Sequence, residues 1–342
     1  MKKRHISGIA ALLLIISLVS CSTDGNVTNP KSKNRIYYDY FDTVSVIYDY
    51  SGSSDEEFTD VCYSLTGLMR TYHELFDIYN TYEGIVNIAY LNSMAGRGAV
   101  SVPDELIDFL EYCKDIYEKT DGYVNIAMGA VLSLWHDART LGNSDPSNAA
   151  LPDSAALAEA AKHCDIGDLV INREAGTVEL RDPEMSLDVG AVAKGYAVER
   201  LADFLHDNGY NSYALDIGGN LRVVGTKPDG TGWQTGVKNP DLTGGYVHTF
   251  ELSDGSAVTS GGYERYYIVD GRRYHHIIDK DTAMPAEHFA SVTVVCEDSG
   301  LADALSTALF CMDIDAGRSI ASALGVRDVI WVELDGTVKR LK

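Results

Sequence analysis

The chain has 342 residues, 45% of them hydrophobic, which fits roughly two domains or one large one and supplies a substantial core. Its formal net charge is −22, from 28 Lys and Arg against 50 Asp and Glu, and such a surface repels nucleic-acid backbones. The 21 Tyr, 8 Phe and 3 Trp exclude a disordered acidic chain, because unpacked chains contain few aromatic residues. An anionic ligand would need a local device here, such as a metal ion, a lysine or a helix N-terminus.

The first twenty residues have the pattern of an export signal. Basic residues at 2–4 precede an apolar segment at 6–19, which is too short to span a bilayer comfortably. A small residue then precedes Cys21, as in the bacterial lipobox, so we expect cleavage before Cys21 and lipidation of its thiol. An ordinary signal peptide and an uncleaved anchor are the alternatives. Residues 21–35 are polar and predict a flexible tether that leads to one domain over residues 36–342.

Hydrophobic periodicity and turn residues predict the elements of this domain in chain order. The first half is predicted to contain a strand at Ile36–Tyr48, helices at Glu56–Leu75 and Pro103–Thr120, a loop at Trp135–Asp153, a short helix at Ser154–Lys162, and strands at Thr177–Leu180 and Met185–Asp188. The second half is predicted to contain a helix at Ala191–His206, short strands from Tyr213 to Ile278, a strand at Ser291–Cys296, one or two helices over Leu301–Leu324, and a hairpin of Val326–Val332 and Thr337–Leu341.

This order groups strands with strands and helices with helices, without the alternation of a βαβ fold. It predicts an α+β fold with mixed or antiparallel sheets packed with helices, and it argues against a doubly wound sheet. The sequence contains no Gly-x-Gly-x-x-Gly motif after a predicted strand and no Walker loop, so neither route to dinucleotide binding is supported.

The first candidate site segment is 188–195, with the sequence Asp-Val-Gly-Ala-Val-Ala-Lys-Gly. A strand is expected to end at Asp188, small residues allow a ligand to approach the backbone, and a helix then begins. A helix N-terminus attracts anions, and Lys194 in the first turn adds a charge suited to phosphate. A capped helix with a surface lysine is the alternative interpretation.

The second segment places Asp303 and Thr307 four residues apart on a predicted helix, where their oxygen atoms share one face. A carboxylate and a hydroxyl suit Mg²⁺, which binds oxygen ligands. The alternative is structural, because an acidic residue near a helix N-terminus opposes the helix dipole and a helical threonine bonds to a backbone carbonyl.

The third segment combines small residues at 259–262 with two adjacent histidines, His275 and His276. Neighbouring residues of a strand point to opposite faces, so at most one of the two imidazoles faces a given pocket. His276 could act as a general base near neutral pH, whereas a hairpin with solvated histidines is the alternative. A glycine turn within 216–220 adds weak evidence for a site.

Taken in order, these segments resemble the ApbE family, the FAD:protein FMN transferases, over about residues 41–332. The matching motifs lie at 188–197, 218–220, 259–265, 276–279 and 301–308. Three departures concern flavin contacts. Asn125 takes the place of an acidic residue, Ala130 follows Gly129 where the family has proline, and the turn at 279–285 lacks the proline and the glycine that the family often has there.

The resemblance implies that the protein binds FAD with Mg²⁺, moves the FMN half of FAD onto a threonine or serine of a partner flavoprotein, and releases AMP. It implies metal ligands at Asp303, Thr307 and the backbone carbonyl of Ala191. His276 is the candidate base for the acceptor hydroxyl. By the same resemblance, the residues that contact FAD are Phe41, Tyr79, Ala127, Met128, Gly129, Asp188, Lys194 and Ile277.

Two other functions would use the same residues. Water in place of the acceptor hydroxyl would make the protein an FAD pyrophosphatase that yields FMN and AMP, and a non-catalytic flavin-binding lipoprotein would need no metal ligands. A lipid on Cys21 implies attachment to the extracytoplasmic face of a bacterial cell membrane. The acceptors expected there are flavoprotein subunits of membrane redox complexes or secreted flavoproteins.

Overall fold

The computed structural model describes residues 32–342, so the predicted signal peptide, Cys21 and most of the predicted tether lie outside the described residues. The helices are α1 (Asp55–Phe76), α2 (Ile88–Ser93), α3 (Asp104–Lys119), α4 (Gly129–Ser144), α5 (Ser154–Ala160), α6 (Ala193–Asp207), α7 (Ser299–Phe310) and α8 (Ile314–Ala323). The strands are β1 (Lys33–Tyr37), β2 (Ser45–Asp49), β3 (Val100–Ser101), β4 (Leu169–Asn172), β5 (Thr177–Leu180), β6 (Tyr213–Ile217), β7 (Asn220–Val224), β8 (Trp233–Lys238), β9 (Tyr246–Leu252), β10 (Gly255–Gly261), β11 (Tyr266–Val269), β12 (Arg272–His275), β13 (Phe289–Cys296), β14 (Asp328–Glu333) and β15 (Val338–Arg340).

Eight of these strands form one sheet in the spatial order β1-β2-β6-β7-β10-β13-β14-β15. All neighbouring pairs in this sheet are antiparallel. The smaller sheets are β3-β5-β4, β8-β9 and β11-β12, and their pairs are antiparallel as well. The predicted α+β fold with antiparallel sheets and packed helices is therefore confirmed, and the sheet is not doubly wound.

The register of the large sheet defines two ends, which we name the cleft end and the far end. The cleft end carries the β1–β2 turn, the Gly218–Gly219 turn between β6 and β7, and Gly261 at the end of β10. The far end carries Lys33, the first residue of β1, and Cys296, the last residue of β13. The residues that precede β2 and those that follow β6 and β10 lie at the cleft end, and the motifs single out residues among them.

Both faces of the large sheet are covered, which explains why every residue of β6 and β7 is buried. Along β6, Tyr213 and Leu215 pack against α1 and α6, whereas Ala214 between them packs toward Trp233 of the β8–β9 hairpin. Helix α7 packs against β10 and β13 on the helical face. Within residues 32–342, no helix has both the length and the apolar character needed to cross a membrane.

The prediction of one strand over Ile36–Tyr48 was wrong, because this segment is a hairpin. Strands β1 and β2 flank a turn in which Phe41 and Asp42 have φ values of +55° and +50°. This turn contains no glycine or proline, so the β-forming residues on both sides of it predict one continuous strand. Strand β1 begins at Lys33, so the folded domain begins before position 36.

Two further predictions were wrong. Residues 135–144, predicted as loop, belong to α4, in which Val131 and Trp135 are four residues apart and buried on one face. The polar residues at the end of this helix concealed its periodicity. The predicted strand at Met185–Asp188 makes only an isolated bridge, between Ser186 and Met128.

Candidate active site

Helices α6 and α7 approach each other closely at Gly195. A Cβ atom on this residue would lie 2.4 Å from the Cβ of Asp303, so only glycine fits. The Gly195 amide donates a hydrogen bond to Oδ2 of Asp303 at 2.8 Å. In a regular helix this amide would bond to the carbonyl of Ala191, four residues earlier. The carboxylate takes the place of that carbonyl as acceptor, which leaves the Ala191 oxygen available to another partner.

Polar atoms cluster around the buried Asp303 carboxylate, which is 4% exposed. The Lys194 ammonium lies 3.6 Å from Oδ2 of Asp303. One turn further along α7, Oγ1 of Thr307 lies 3.2 Å from the hydroxyl of Ser260, which also contacts the hydroxyl of Ser306 at 2.8 Å. The predicted metal ligands therefore lie beside the end of β10, together with a cation.

These ligands fit a hard cation. Asp303, Thr307 and the Ala191 carbonyl supply oxygen atoms only, as Mg²⁺ prefers, and the Gly195 bond uses only one of the two carboxylate oxygens. Among residues 32–342, no group of three or more His, Cys, Asp or Glu side chains could hold a metal. The predicted set has a single carboxylate and is not a group of that kind.

A buried ion pair fixes the position of α6 relative to α7. Arg222 on β7 and Glu199 on α6 approach to 3.2 Å, and both side chains are at most 10% exposed. Oε2 of Glu199 also accepts the amide of Ser299, the first residue of α7, at 2.6 Å. Removing one partner from such a pair leaves a buried charge without compensation, so the pair constrains this helix crossing.

Phe41 is held in an unfavourable backbone conformation by a residue that the motifs did not include. A positive φ costs a non-glycine residue roughly 1–2 kcal/mol. Nδ1 of His73, on α1, accepts the Phe41 amide at 3.1 Å, and the imidazole meets the Phe41 ring edge-on with centroids 5.9 Å apart. Strain that is fixed by the surrounding structure is typical of ligand sites.

Tyr79 projects from a loop that Asp77 organises. Oδ1 of Asp77 accepts the Tyr79 amide at 2.7 Å, and Oδ2 accepts the hydroxyl of Tyr82 at 2.7 Å. The Tyr79 side chain is 59% exposed, and its hydroxyl lies 2.8 Å from Nδ1 of His136. The protein atoms around the hydroxyl partly desolvate it and, followed by the nearby charge of Asp188, raise the pKa of Tyr79 to about 12, so the hydroxyl is protonated at pH 7.

The segment 127–129 runs beside the segment that ends in Asp188. The Gly129 amide donates to the Ser186 carbonyl at 2.9 Å, and a Cβ at Gly129 would lie 2.4 Å from that oxygen. Ala127 and Met128 are buried, so a ligand would meet this segment through its backbone. Burial raises the pKa of Asp188, whose Oδ1 accepts the amide of Gly190 at 2.9 Å.

Two of the departures from the family pattern, Asn125 and the turn at 279–285, have a structural role. Asn125 accepts the Ala127 amide at 2.9 Å through Oδ1 and donates to the Cys164 carbonyl at 2.8 Å through Nδ2, a bond that an ionised acid could not make. In the turn at 279–285, Ala283 has a φ of +53° where the family often has glycine. The indole of Trp135 donates to the Ala283 carbonyl at 2.8 Å and holds this turn.

His276 follows β12, and its Nδ1 lies 3.2 Å from the carbonyl of Arg265. Because a carbonyl only accepts, Nδ1 carries the proton and Nε2 keeps a lone pair. Burial, followed by the charges of Arg265 and Arg139, lowers the pKa of His276 to about 3. The imidazole is therefore neutral at pH 7 and can accept a proton at Nε2.

His275 has different partners from His276, as alternation along a strand requires. Its Nε2 lies 2.9 Å from the Ala286 carbonyl, and its Nδ1 accepts the amide of Ile277 at 3.2 Å. Ile277 is 5% exposed, and its carbonyl accepts the Ala286 amide at 3.0 Å. The Ile277 side chain is therefore largely buried in the core.

The predicted site residues also contact residues from distant parts of the sequence. Residues that were not predicted as site residues supply several of these contacts: His73, Asp77, His136, Arg139 and Arg265. Arg265 lies within the 259–265 motif, which was a usable signal. The others sit on helices or at helix ends, where a single polar residue gives no sequence pattern.

The model of the ApbE family matches residues 43–331 of this chain. The FAD:protein FMN transferase of Treponema pallidum is 33% identical over 267 residues, which cover 74% of this chain and 72% of that protein. The FAD:protein FMN transferase of Klebsiella pneumoniae is 29% identical over 267 residues, covering 78% of this chain and 79% of that protein. The chain therefore belongs to the ApbE family, and the predicted family and the prediction of an enzyme are confirmed.

Solved structures agree with this assignment. The ApbE protein of Thermotoga maritima superimposes with a TM-score of 0.79 at 27% identity, covering 91% of this chain and 97% of that one. The apo form of the flavinyl transferase ApbE of Pseudomonas stutzeri gives a TM-score of 0.74 at 23% identity, covering 91% and 94%, and at this identity it supports the fold alone.

Proposed function

We propose that this enzyme transfers FMN from FAD to a threonine or serine hydroxyl of a partner flavoprotein and releases AMP. Its relatives from T. pallidum and K. pneumoniae are named for FMN transfer from FAD to protein. The observation that carries the proposal for this chain is the tautomer of His276, whose Nδ1–H donates to the carbonyl of Arg265 and leaves Nε2 free to accept a proton. A positioned imidazole with a free nitrogen suits the activation of a hydroxyl that attacks a phosphate.

The reaction balances without a further reactant. The acceptor oxygen attacks the phosphorus on the FMN side of the FAD diphosphate, and the bond from that phosphorus to the bridging oxygen breaks. The hydroxyl proton passes to Nε2 of His276, and the bridging oxygen leaves with AMP. In this proposal Lys194 and the N-terminus of α6 offset charge on the phosphates, and the 3.6 Å contact of the Lys194 ammonium with Asp303, a proposed metal ligand, supports that role.

Asp303, Thr307 and the Ala191 carbonyl are the proposed ligands of Mg²⁺, which when bound acts as a Lewis acid on the phosphate oxygens. Phe41 and Tyr79 are the proposed aromatic contacts of the flavin, since Phe41 is fixed by His73 and Tyr79 is exposed beside His136. The other proposed FAD contacts are Ala127, Met128, Gly129, Asp188, Lys194 and Ile277.

The test is a mass measurement after incubation with FAD, Mg²⁺ and a flavoprotein fragment that carries one acceptor threonine. We expect the fragment to gain the mass of one FMN less one water, with one AMP released per fragment. A matched fragment with valine in place of the threonine should gain no mass. FMN and AMP without fragment modification would establish the hydrolase alternative, and bound FAD without products would establish a binding protein.

We also propose that Cys21 is lipidated and holds the enzyme at the extracytoplasmic face of the cell membrane, with flavoproteins of that compartment as acceptors. The support is the sequence pattern before Cys21, where a small residue ends an apolar segment. Cys21→Ser should release the protein from the membrane fraction or leave it unprocessed. Unchanged processing and membrane partitioning in this variant would contradict the anchor.

A further inference from the structure

Three hydroxyl groups form a chain between β10 and α7. The hydroxyl of Ser260, on β10, lies 3.2 Å from that of Thr307 and 2.8 Å from that of Ser306. The Ser306 hydroxyl in turn lies 2.9 Å from the backbone carbonyl of Asp303, about one turn earlier in α7. The chain therefore begins at the side chain of one proposed metal ligand and ends at the backbone of another.

The carbonyl at the end of this chain fixes the direction of every hydrogen bond in it. A carbonyl oxygen only accepts, so Ser306 donates its single proton to Asp303, and its full burial keeps bulk water from taking that proton. The contact between Ser306 and Ser260 is then a hydrogen bond in which Ser260 donates. Because the proton of Ser260 is used there, its oxygen accepts from Thr307. The proton of Thr307 is thus directed at Ser260.

This direction decides what the Thr307 hydroxyl can bind. A threonine inside a helix commonly donates to the carbonyl three or four residues earlier, as the structural alternative for Thr307 requires. Here the Asp303 carbonyl accepts from Ser306, and the Thr307 hydroxyl contacts a neighbouring strand. A hydroxyl that binds a cation directs a lone pair at the ion and its proton away from it. Thr307 can meet this condition because Ser260 accepts its proton.

We propose that Ser260 and Ser306 are positioning residues of the metal site, which hold the Thr307 hydroxyl with a lone pair free for Mg²⁺. This inference rests on the proposed function for the identity of the cation and for Thr307 as its ligand. Neither serine is a proposed ligand, and both act through Thr307. Partners that orient a metal ligand in this way typically change metal affinity about 10- to 100-fold when they are removed.

The test measures the affinity for Mn²⁺, which favours oxygen ligands as Mg²⁺ does and whose paramagnetic resonance signal reports the free ion. The ion counted is the one that the unmodified full chain binds and that Asp303→Asn does not. Ser260→Ala should weaken its binding at least about tenfold, and Ser260→Thr, which keeps a hydroxyl, should restore most of the affinity. The Mg²⁺ concentration for half-maximal FMN transfer should rise in parallel, whereas the rate at saturating Mg²⁺ should change little.

Ser256→Ala is the matched control for Ser260→Ala. Ser256 lies four residues earlier on the same face of β10, and its buried hydroxyl donates to the Leu221 carbonyl at 2.8 Å. Its loss should lower the melting temperature and leave the Mn²⁺ affinity unchanged. Ser306→Ala should weaken Mn²⁺ binding less than Ser260→Ala does. The double variant should lose no more than Ser260→Ala alone, because Ser306 acts only through Ser260.

Unchanged Mn²⁺ affinity in Ser260→Ala would overturn the proposal, and so would equal losses in Ser260→Ala and Ser256→Ala, since the serine would then act on the fold. Additive losses in the double variant would overturn the chain as well. If Ser260→Ala fails to fold, Ser306→Ala gives the comparison, and an unchanged affinity there would be the contrary result. Equal Mn²⁺ binding by the unmodified protein and Asp303→Asn would refute the proposed ligands themselves, whereas the other contrary results leave those ligands standing.

Discussion

Replacing Asp303 with asparagine should reduce FMN transfer at least about 100-fold while the protein stays folded. The carboxamide oxygen can still accept the Gly195 amide, so the contact between α6 and α7 is kept. The NH₂ group then replaces a ligand oxygen, and the negative charge is lost from the proposed Mg²⁺ site. Transfer rate, Mg²⁺ dependence and melting temperature measured together on Asp303→Asn provide the check.

Chelation supplies an independent comparison for this substitution. EDTA should inhibit the unmodified enzyme to a similar extent, and excess Mg²⁺ should reverse that inhibition. Asp315→Asn is the matched control, since Asp315 is an exposed carboxylate in the first turn of α8. Full transfer by Asp303→Asn in metal-free buffer would show that this helix does not hold the metal.

His276→Ala should also lower the transfer rate at least about 100-fold, with little change in the affinity for FAD. A base acts on the reacting hydroxyl in the transition state, so its loss affects the rate and not the binding of substrate. Transfer rate, FAD dissociation constant and melting temperature distinguish this outcome from a loss of stability. A rate loss that follows melting temperature alone would contradict the role of His276 as base.

The choice of control follows from the hydrogen bonds of the neighbouring histidine. His275→Ala would leave the amide of Ile277 and the carbonyl of Ala286 without partners and cost about 1–3 kcal/mol of stability. It is therefore an unsuitable silent control. His288, exposed before β13, is the better one, and His288→Ala should leave rate and stability unchanged.

The pH profile provides a second measure of the same base. The pKa of His276 is lowered to about 3, so the ring stays neutral and able to accept a proton as the pH falls from 8 to 5. The profile of kcat/KM, which reports the free enzyme, should show no limb from this residue in that range. With an ordinary pKa of about 6.5, only about a tenth of the histidine would be neutral at pH 5.5, and kcat/KM would fall about tenfold by that pH.

Local spacing was enough to predict some of the site. Asp303 and Thr307 are four residues apart in one helix, so their shared face follows from helical geometry alone. The Gly195 amide bonds to the carboxylate of Asp303 instead of to the carbonyl of Ala191. This hydrogen bond could not be predicted, because Gly195 and Asp303 are 108 positions apart in the chain. Its cause is the close crossing of two helices, which no local pattern encodes.

Backbone conformation explains the other failures. The left-handed residues Phe41 and Ala283 occur where a sequence would be expected to show glycine, and contacts from distant residues stabilise them. Helix α4 is held by burial of Trp135 and by its bond to Ala283, so tertiary packing outweighed a polar composition. Elements with a regular apolar stripe, such as α1 and α3, were predicted within a residue or two of their observed bounds.

The first strand of the large sheet begins at the far end and leads to the cleft end. The chain enters the domain at Lys33, at the far end, and β1 carries it across the sheet to the turn that contains Phe41. Five residues of strand span roughly 17 Å, so the start of β1 and the cleft end are separated by about the length of that strand. A protein that docks at the cleft end therefore need not contact the end of the sheet at which β1 begins.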